Sequence, residues 1–257
     1  MKIRPLRLKY MRWSVGLLSI LVSCSNPVDH ELTYTWSPVK ISSDLQEAEQ
    51  MEMIIAPFRI RLDSIMNEVI GYAAHDLTSA RAYESTLGTF VTELLLTQSI
   101  ASYDRPVDVA IMNHKGGLRA PINEGPITLG EVFQVMPFEN EMLLLEVPGD
   151  QLLKVVDFIG QSGRSMIWPV SFEVSDKIVT NVRLHGELIQ PDRNYTLTIS
   201  DYLANGGGGF ELLKPLKRLE VVPVTLRDMI VQEIRQRTMQ GDSIQVDLAN
   251  LVTLSKP

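Results

Sequence analysis

An α+β domain, with a mixed sheet and packed helices, is the fold class that the sequence predicts. Helix-spaced and strand-like apolar segments follow one another irregularly, without the strand–helix–strand alternation of a doubly wound sheet. The composition, 45% apolar and 21% charged, is that of an ordinary globular protein. A chain of 257 residues is long enough for one large domain with a substantial core.

The elements follow from the chain in order. Residues 1–12 are rich in Lys and Arg, and Trp13 to Val22 form an apolar run that closes on Leu21-Val22-Ser23-Cys24. That run is too short to span a bilayer but has the length of a secretory signal's apolar segment. Leu-Val-Ser-Cys resembles a bacterial lipobox, so the expectation is a lipoprotein signal peptide over 1–23 and acylation of Cys24. A plain signal peptide with an incidental cysteine is the alternative. Lipidation would hold the protein to a membrane in the cell envelope, each buried methylene contributing about 0.8 kcal/mol. Cys24 is the only cysteine, which excludes disulfides and CxxC sites. Residues 24–43, with two prolines and small polar residues, read as a tether, and 44–257 as a single domain.

Within that domain, apolar residues from Leu45 to Ile70 recur at helical spacing and predict a helix from Asp44 to about Val69, capped by Ser43 or Asp44. Pro57 predicts a kink or break in it. Further helices are expected at 85–99, 128–135, 149–159 and 225–239. Strands are expected at 107–112, 142–147, 170–174, 178–184 and 195–200.

Charge narrows the function classes. The formal net charge is −7, and residues 1–23 hold five basic residues and no acidic one, so the remainder carries −12. Such a surface repels phosphate backbones, which excludes a nucleic-acid polymer as partner. An anionic ligand must then be small and met by a local basic pocket.

Three loops carry the unusual residues. Asn113-His-Lys-Gly-Gly-Leu-Arg119 follows a buried strand; its glycines let backbone N–H groups approach an anion while Lys115 and Arg119 supply charge. The loop fits such a cradle and equally a glycine-rich turn with solvated cations. Met136-Pro-Phe-Glu-Asn140 presents an aromatic ring and an amide, and Phe138 fits either a core position or a ligand platform. Asp201-Tyr-Leu-Ala-Asn-Gly-Gly-Gly-Gly-Phe210 fits a fixed close approach or a slack loop. Catalytic equipment is thin: the four histidines are scattered, and no GxSxG or metal-ligand spacing occurs.

Four stretches together resemble the C-terminal domain of the 5′-nucleotidase family, which includes UDP-sugar hydrolases, 2′,3′-cyclic nucleotide phosphodiesterases and ecto-5′-nucleotidases. They are Asp108-Val-Ala-Ile-Met-Asn-His-Lys-Gly-Gly-Leu-Arg119, Gly125-Pro-Ile-Thr128, Met136-Pro-Phe138 and Leu203-Ala-Asn-Gly-Gly207, and the likeness runs from roughly Gln46 to Gln240. The resemblance implies that Phe138 and Tyr202 sandwich a nucleotide base, that Arg119 and Arg81 meet the phosphate, and that Asn140 contacts the base. Asn113 belongs to the same loop signature and counts as a further binding residue. The sequence departs from the family in four places. His114 stands where Asn or Ser is usual, Lys115 replaces a small residue, and Thr89 replaces an asparagine. Gly208 occupies the place of the aspartate that binds the ribose hydroxyls.

In that family a separate metallophosphatase domain holds the divalent metal pair. Its Asp-x-His, Gly-Asn-His and Gly-His-x-His signatures are absent from this sequence, so no cofactor is expected in this chain. The expectation is a nucleotide- or nucleoside-binding lipoprotein of nucleotide catabolism, working with a metallophosphatase chain that carries the metals. The helix over 44–69 resembles the family's interdomain helix and is the candidate docking surface. The alternatives are a non-catalytic nucleoside- or nucleotide-binding lipoprotein and a structural interaction module.

Overall fold

The computed structural model describes residues 36–38, 40–42, 48–103, 105–248 and 250–254. The expected signal segment, Cys24, most of the expected tether and the expected cap at Ser43 or Asp44 lie outside the described residues. The chain falls into two units, 1–48 and 49–257, and every helix and strand among the described residues belongs to the second.

Helix α1, Glu49–Met66, runs unbroken through Pro57. Pro57 removes one hydrogen bond to the carbonyl four residues earlier, and on this helix, none of whose residues is buried, water can satisfy that carbonyl. The helix ends before Val69, which instead opens strand β1, Val69–Ala73. No residue of α1 is buried, and Met51, Ile54, Phe58, Leu62 and Ile65 lie exposed at helical spacing. No helix among the described residues is long and apolar enough to cross a membrane.

The other expected helices form close to their expected bounds, for identifiable reasons. In α2, Thr86–Ser102, the Ser85 side chain accepts from the Gly88 N–H at 3.1 Å. After β2, Val109–Met112, and β3, Gly125–Thr128, helix α3, Leu129–Val135, opens with a capping box between Thr128 and Glu131. Following β4, Glu141–Pro148, helix α4, Gly149–Ser162, buries Leu152, Val155, Val156 and Ile159 on one face and stops at Gly163 in the left-handed conformation, φ 60°. Strands β5, Met166–Trp168, β6, Val170–Ser175, β7, Ile178–Leu184, β8, Glu187–Leu188, and β9, Asn194–Ser200, come next. The single turn α5, Asp201–Ala204, leads to β10, Lys217–Thr225, then α6, Leu226–Met239, capped by Thr225, and β11, Val252–Leu254.

The strands form three sheets, ordered β1-β3, β10-β4-β9-β2-β5 and β11-β6-β7-β8. The central five-stranded sheet is mixed: β2 and β9 are parallel, while its other pairings are antiparallel. It separates two cores. Ala110, Met112, Met142 and Leu144 face a cluster with α2, α6 and the two-stranded sheet. Val109, Ile111, Leu143, Leu145 and Val147 alternate to the other face, against α4 and the four-stranded sheet. Strands covered on both faces read as continuous apolar runs, as Met142-Leu-Leu-Leu145 does.

Candidate functional site

The topology gathers the three unusual loops at one end of the central sheet. Because β2 and β9 run parallel, the chain leaves both at that end, from Met112 into the Asn113–Arg119 loop and from Ser200 into α5. Strands β4 and β5 are antiparallel to these partners and so begin there, preceded by Phe138 and Asn140 and by Arg164 and Ser165 respectively. Strand β10, antiparallel to β4, ends there and delivers Leu226. Between these segments lies a cleft of about 560 Å³, within the usual range for small-molecule sites.

Phe138 and Tyr202 both line this cleft and are 40% and 50% exposed. Half-exposed rings at a sheet end are not core, and their faces are accessible to a planar ligand. The glycine run is a fixed support for one of them. Gly206, Gly208 and Gly209 have φ of 88°, 63° and 92°, and this backbone wraps the Tyr202 side chain. The Gly208 N–H donates to the Tyr202 hydroxyl at 3.2 Å, and a Cβ at Gly207 would stand 2.5 Å from the ring. Only glycine permits that approach.

Phe138 is held from the opposite side. Buried Arg227, at the start of α6, donates to the Phe138 carbonyl at 3.5 Å and to Glu139 at 3.3 Å, and stacks 4.3 Å over the Phe133 ring. Asn140 joins the two walls: its Nδ2 donates to Asp201 Oδ1 at 3.0 Å, and the same oxygen accepts from the Tyr202 N–H at 2.7 Å. The Asn140 Oδ1 is left to accept from a ligand.

Three cations face the cleft, Lys115, Arg119 and Arg164, and its lining contains no aspartate or glutamate. Arg119 lies 6.0 Å from the Phe138 ring centroid and donates to the Gly116 carbonyl at 3.3 Å. Asn113 also lines the cleft, beside the glycine run: its Nδ2 lies 3.9 Å from where a Cβ on Gly208 would stand. The structure therefore brings together Asn113, Arg119, Phe138, Asn140 and Tyr202. Arg81 is exposed and lies outside the residues that line the cleft. Its segment passes through Tyr83, φ 65°, whose N–H donates to the Gly163 carbonyl at 3.3 Å, and Glu84 accepts from the Leu251 N–H at 2.8 Å.

Sequence reasoning missed Arg164 and Arg227. Arg164 sits in no motif; the available signal was Gly163, a helix-ending glycine followed by the apolar run Met166-Ile-Trp168, which places residue 164 at a sheet end. Nothing in the sequence pattern distinguished Arg227 from an ordinary surface cation.

His114 is fully buried beneath the loop, its Nδ1 3.4 Å from Ser85 Oγ. Burial first, and the charge of Lys115 second, push its pKa from 6.5 down to about 4, so it is neutral at pH 7. The folded state thus binds fewer protons than the unfolded state between these values. The resulting stability is fully present above pH 6.5 and lost as pH falls toward 4, by about 3 kcal/mol at most. His114→Asn is expected to flatten urea-determined stability across that window. An unchanged slope would show that other groups control it.

No three of His, Cys, Asp and Glu converge as a metal site among the described residues. These residues do not fit the metal pair that the resemblance implies for such enzymes, and no step is derived through one. The cleft can stack a planar group and neutralise an anion.

Among known proteins, the family described as "5'-nucleotidase, C-terminal domain" matches residues 69–215, more than half of the chain. The 5′-nucleotidase of Homo sapiens is 24% identical over 208 residues, covering 69% of this chain and 36% of that protein. An apyrase of Tabanus yao is 26% identical over 215 residues, covering 73% and 39%. Among solved structures, the 5′-nucleotidase precursor of Thermus thermophilus matches with a TM-score of 0.68 at 20% identity, covering 80% of this chain and 43% of that one, a likeness of fold. The chain spans well under half the length of each.

Proposed function

The chain belongs to the family of 5′-nucleotidase C-terminal domains, and from that membership we propose that it binds a nucleotide or nucleoside and serves nucleotide catabolism together with a metallophosphatase chain. The observation that carries the reading is one cleft that combines two half-exposed aromatic walls with three cations and no carboxylate. The base stacks between Phe138 and Tyr202, with the Asn140 oxygen accepting from its edge. Phosphate meets Arg119, whose forked guanidinium suits its oxygens. The role of this chain is to bind and orient; the partner supplies the divalent metals and the hydrolytic chemistry. The exposed apolar stripe on α1 is our candidate contact for that partner. Cys24, acylated, anchors the assembly at the cell envelope.

The second reading, binding without chemistry, is favoured by one observation: Gly208 lines the cleft where a carboxylate for the ribose hydroxyls is expected. Calorimetric titration of the purified protein with AMP and adenosine, alone and with a metallophosphatase chain from the same genome, separates the two. Binding together with metal-dependent phosphate release only in the mixture supports the joint enzyme. Binding without release in either setting supports the second reading, and no binding overturns both.

A further inference from the structure

The cleft's charge is more than one phosphoryl group needs. Lys115, Arg119 and Arg164 all line it, and none of the three forms an ion pair among the described residues. The two arginines flank one glycine. Arg119 Nη1 donates to the Gly116 carbonyl at 3.3 Å, and a Cβ on Gly116 would stand 3.8 Å from Arg164 Nη2. The Lys115 N–H donates to the Arg164 carbonyl at 3.1 Å, which ties the two loops together. Gly116 itself has φ 103° and is exposed, leaving the space between the two guanidinium groups open.

Three cations without an ion-pair partner among the described residues lie at one end of a cleft, in a protein of net charge −7. Solvent screens their mutual repulsion, and an anion placed between them would be attracted by all three. A phosphomonoester carries a charge of about −1.5 to −2 at neutral pH. Adding a second phosphoryl group brings the ligand close to the three positive charges present.

Resting on the nucleotide reading above, we propose that Lys115, Arg119 and Arg164 form a single polyanion subsite that makes the cleft select a nucleoside diphosphate over the monophosphate and the nucleoside. Arg164 is its specificity-determining residue. It comes from the connection before β5, next to the Arg81 segment, whose Tyr83 N–H donates to the Gly163 carbonyl at 3.3 Å. Lys115 extends the subsite as a point charge, and Arg119 joins it to the Phe138 wall.

The test is calorimetric titration of adenosine, AMP, ADP and inorganic pyrophosphate into the wild-type protein and the R164M, R164K and K115Q variants. Arg164 and Lys115 are not buried, so the substitutions leave the core intact. The wild type is expected to bind ADP about tenfold or more tighter than AMP, with adenosine weakest, and to lose affinity for ADP as salt rises. R164M is expected to remove most of the ADP-over-AMP preference while leaving adenosine unchanged. R164K, which keeps the charge but not the fork, is expected to retain part of it. K115Q should reduce the preference less.

Equal binding of adenosine, AMP and ADP by the wild type would overturn the subsite and leave the aromatic clamp standing. Pyrophosphate binding that R164M abolishes, with no adenosine binding, would sustain the subsite and overturn the clamp. An R164M protein with an unchanged ADP-to-AMP ratio would remove Arg164 from specificity.

Discussion

Alanine at both Phe138 and Tyr202 is expected to weaken AMP binding by about thirtyfold or more, up to about twenty-five-thousandfold if the two losses add in full. Each base–aromatic stack contributes about 1–3 kcal/mol, and because both rings share the base and are linked through Asn140 and Asp201, the single variants compared with the double one give the coupling between them. Both rings are half-exposed, and the Phe138→Ala protein should melt close to wild type. Tyr202 has a second role, since its hydroxyl accepts from the Gly208 N–H. Tyr202→Phe should therefore keep base affinity while loosening the glycine run, and Tyr202→Ala should lose both. Calorimetry with AMP on the single and double variants checks this. Wild-type affinity in both single alanine variants would sink the clamp.

How much of this was legible in the sequence depended on whether a signal was local. Ser85, Thr128 and Thr225 are side-chain caps whose chemistry is complete within four residues, and the helices they open begin where expected. Strand β10 was not legible. It is an edge strand carrying Pro223 and several charges, and only a sheet edge tolerates such a sequence as strand. Pro57 predicts a kink or a break in the helix over 44–69, and α1 continues through it, where exposure lets water take the freed carbonyl.

The site divides the same way. Phe138, Tyr202, Asn113, Arg119 and Asn140 sit in short motifs after or before strands, and the motifs located them. Whether Phe138 was platform or core depended on exposure, which no spacing encodes. Arg164 reaches the cleft only because β5 pairs antiparallel with β2, a tertiary fact. Arg81 is exposed outside the cleft lining, on a segment that Tyr83 bonds to Gly163, beside Arg164, and that Glu84 ties to Leu251.

Leu144→Ala is expected to destabilise the whole second unit by about 2–5 kcal/mol, the cost of a large-to-small change where the surroundings cannot collapse. Leu144 is fully buried and lies in β4, which is bonded on one side to β10 and on the other to β9, so the backbone cannot close over the void. Its side chain joins the core beneath α2 and α6, while its neighbours Leu143 and Leu145 join the core beneath α4. One strand thus belongs to both cores, and neither can lose it alone. Urea unfolding followed by far-ultraviolet dichroism and by fluorescence of Trp168, which packs on the first core, should give one coincident transition. Its midpoint should be lowered and its slope unchanged. Two separated transitions would show that the cores unfold independently. The strand also begins at Glu141, directly after Asn140 in the cleft, so ligand binding and the shared strand are one cooperative system. AMP at about a hundred times its dissociation constant should restore about 2.7 kcal/mol to wild type and variant alike, because the cavity at Leu144 leaves the cleft's own residues untouched.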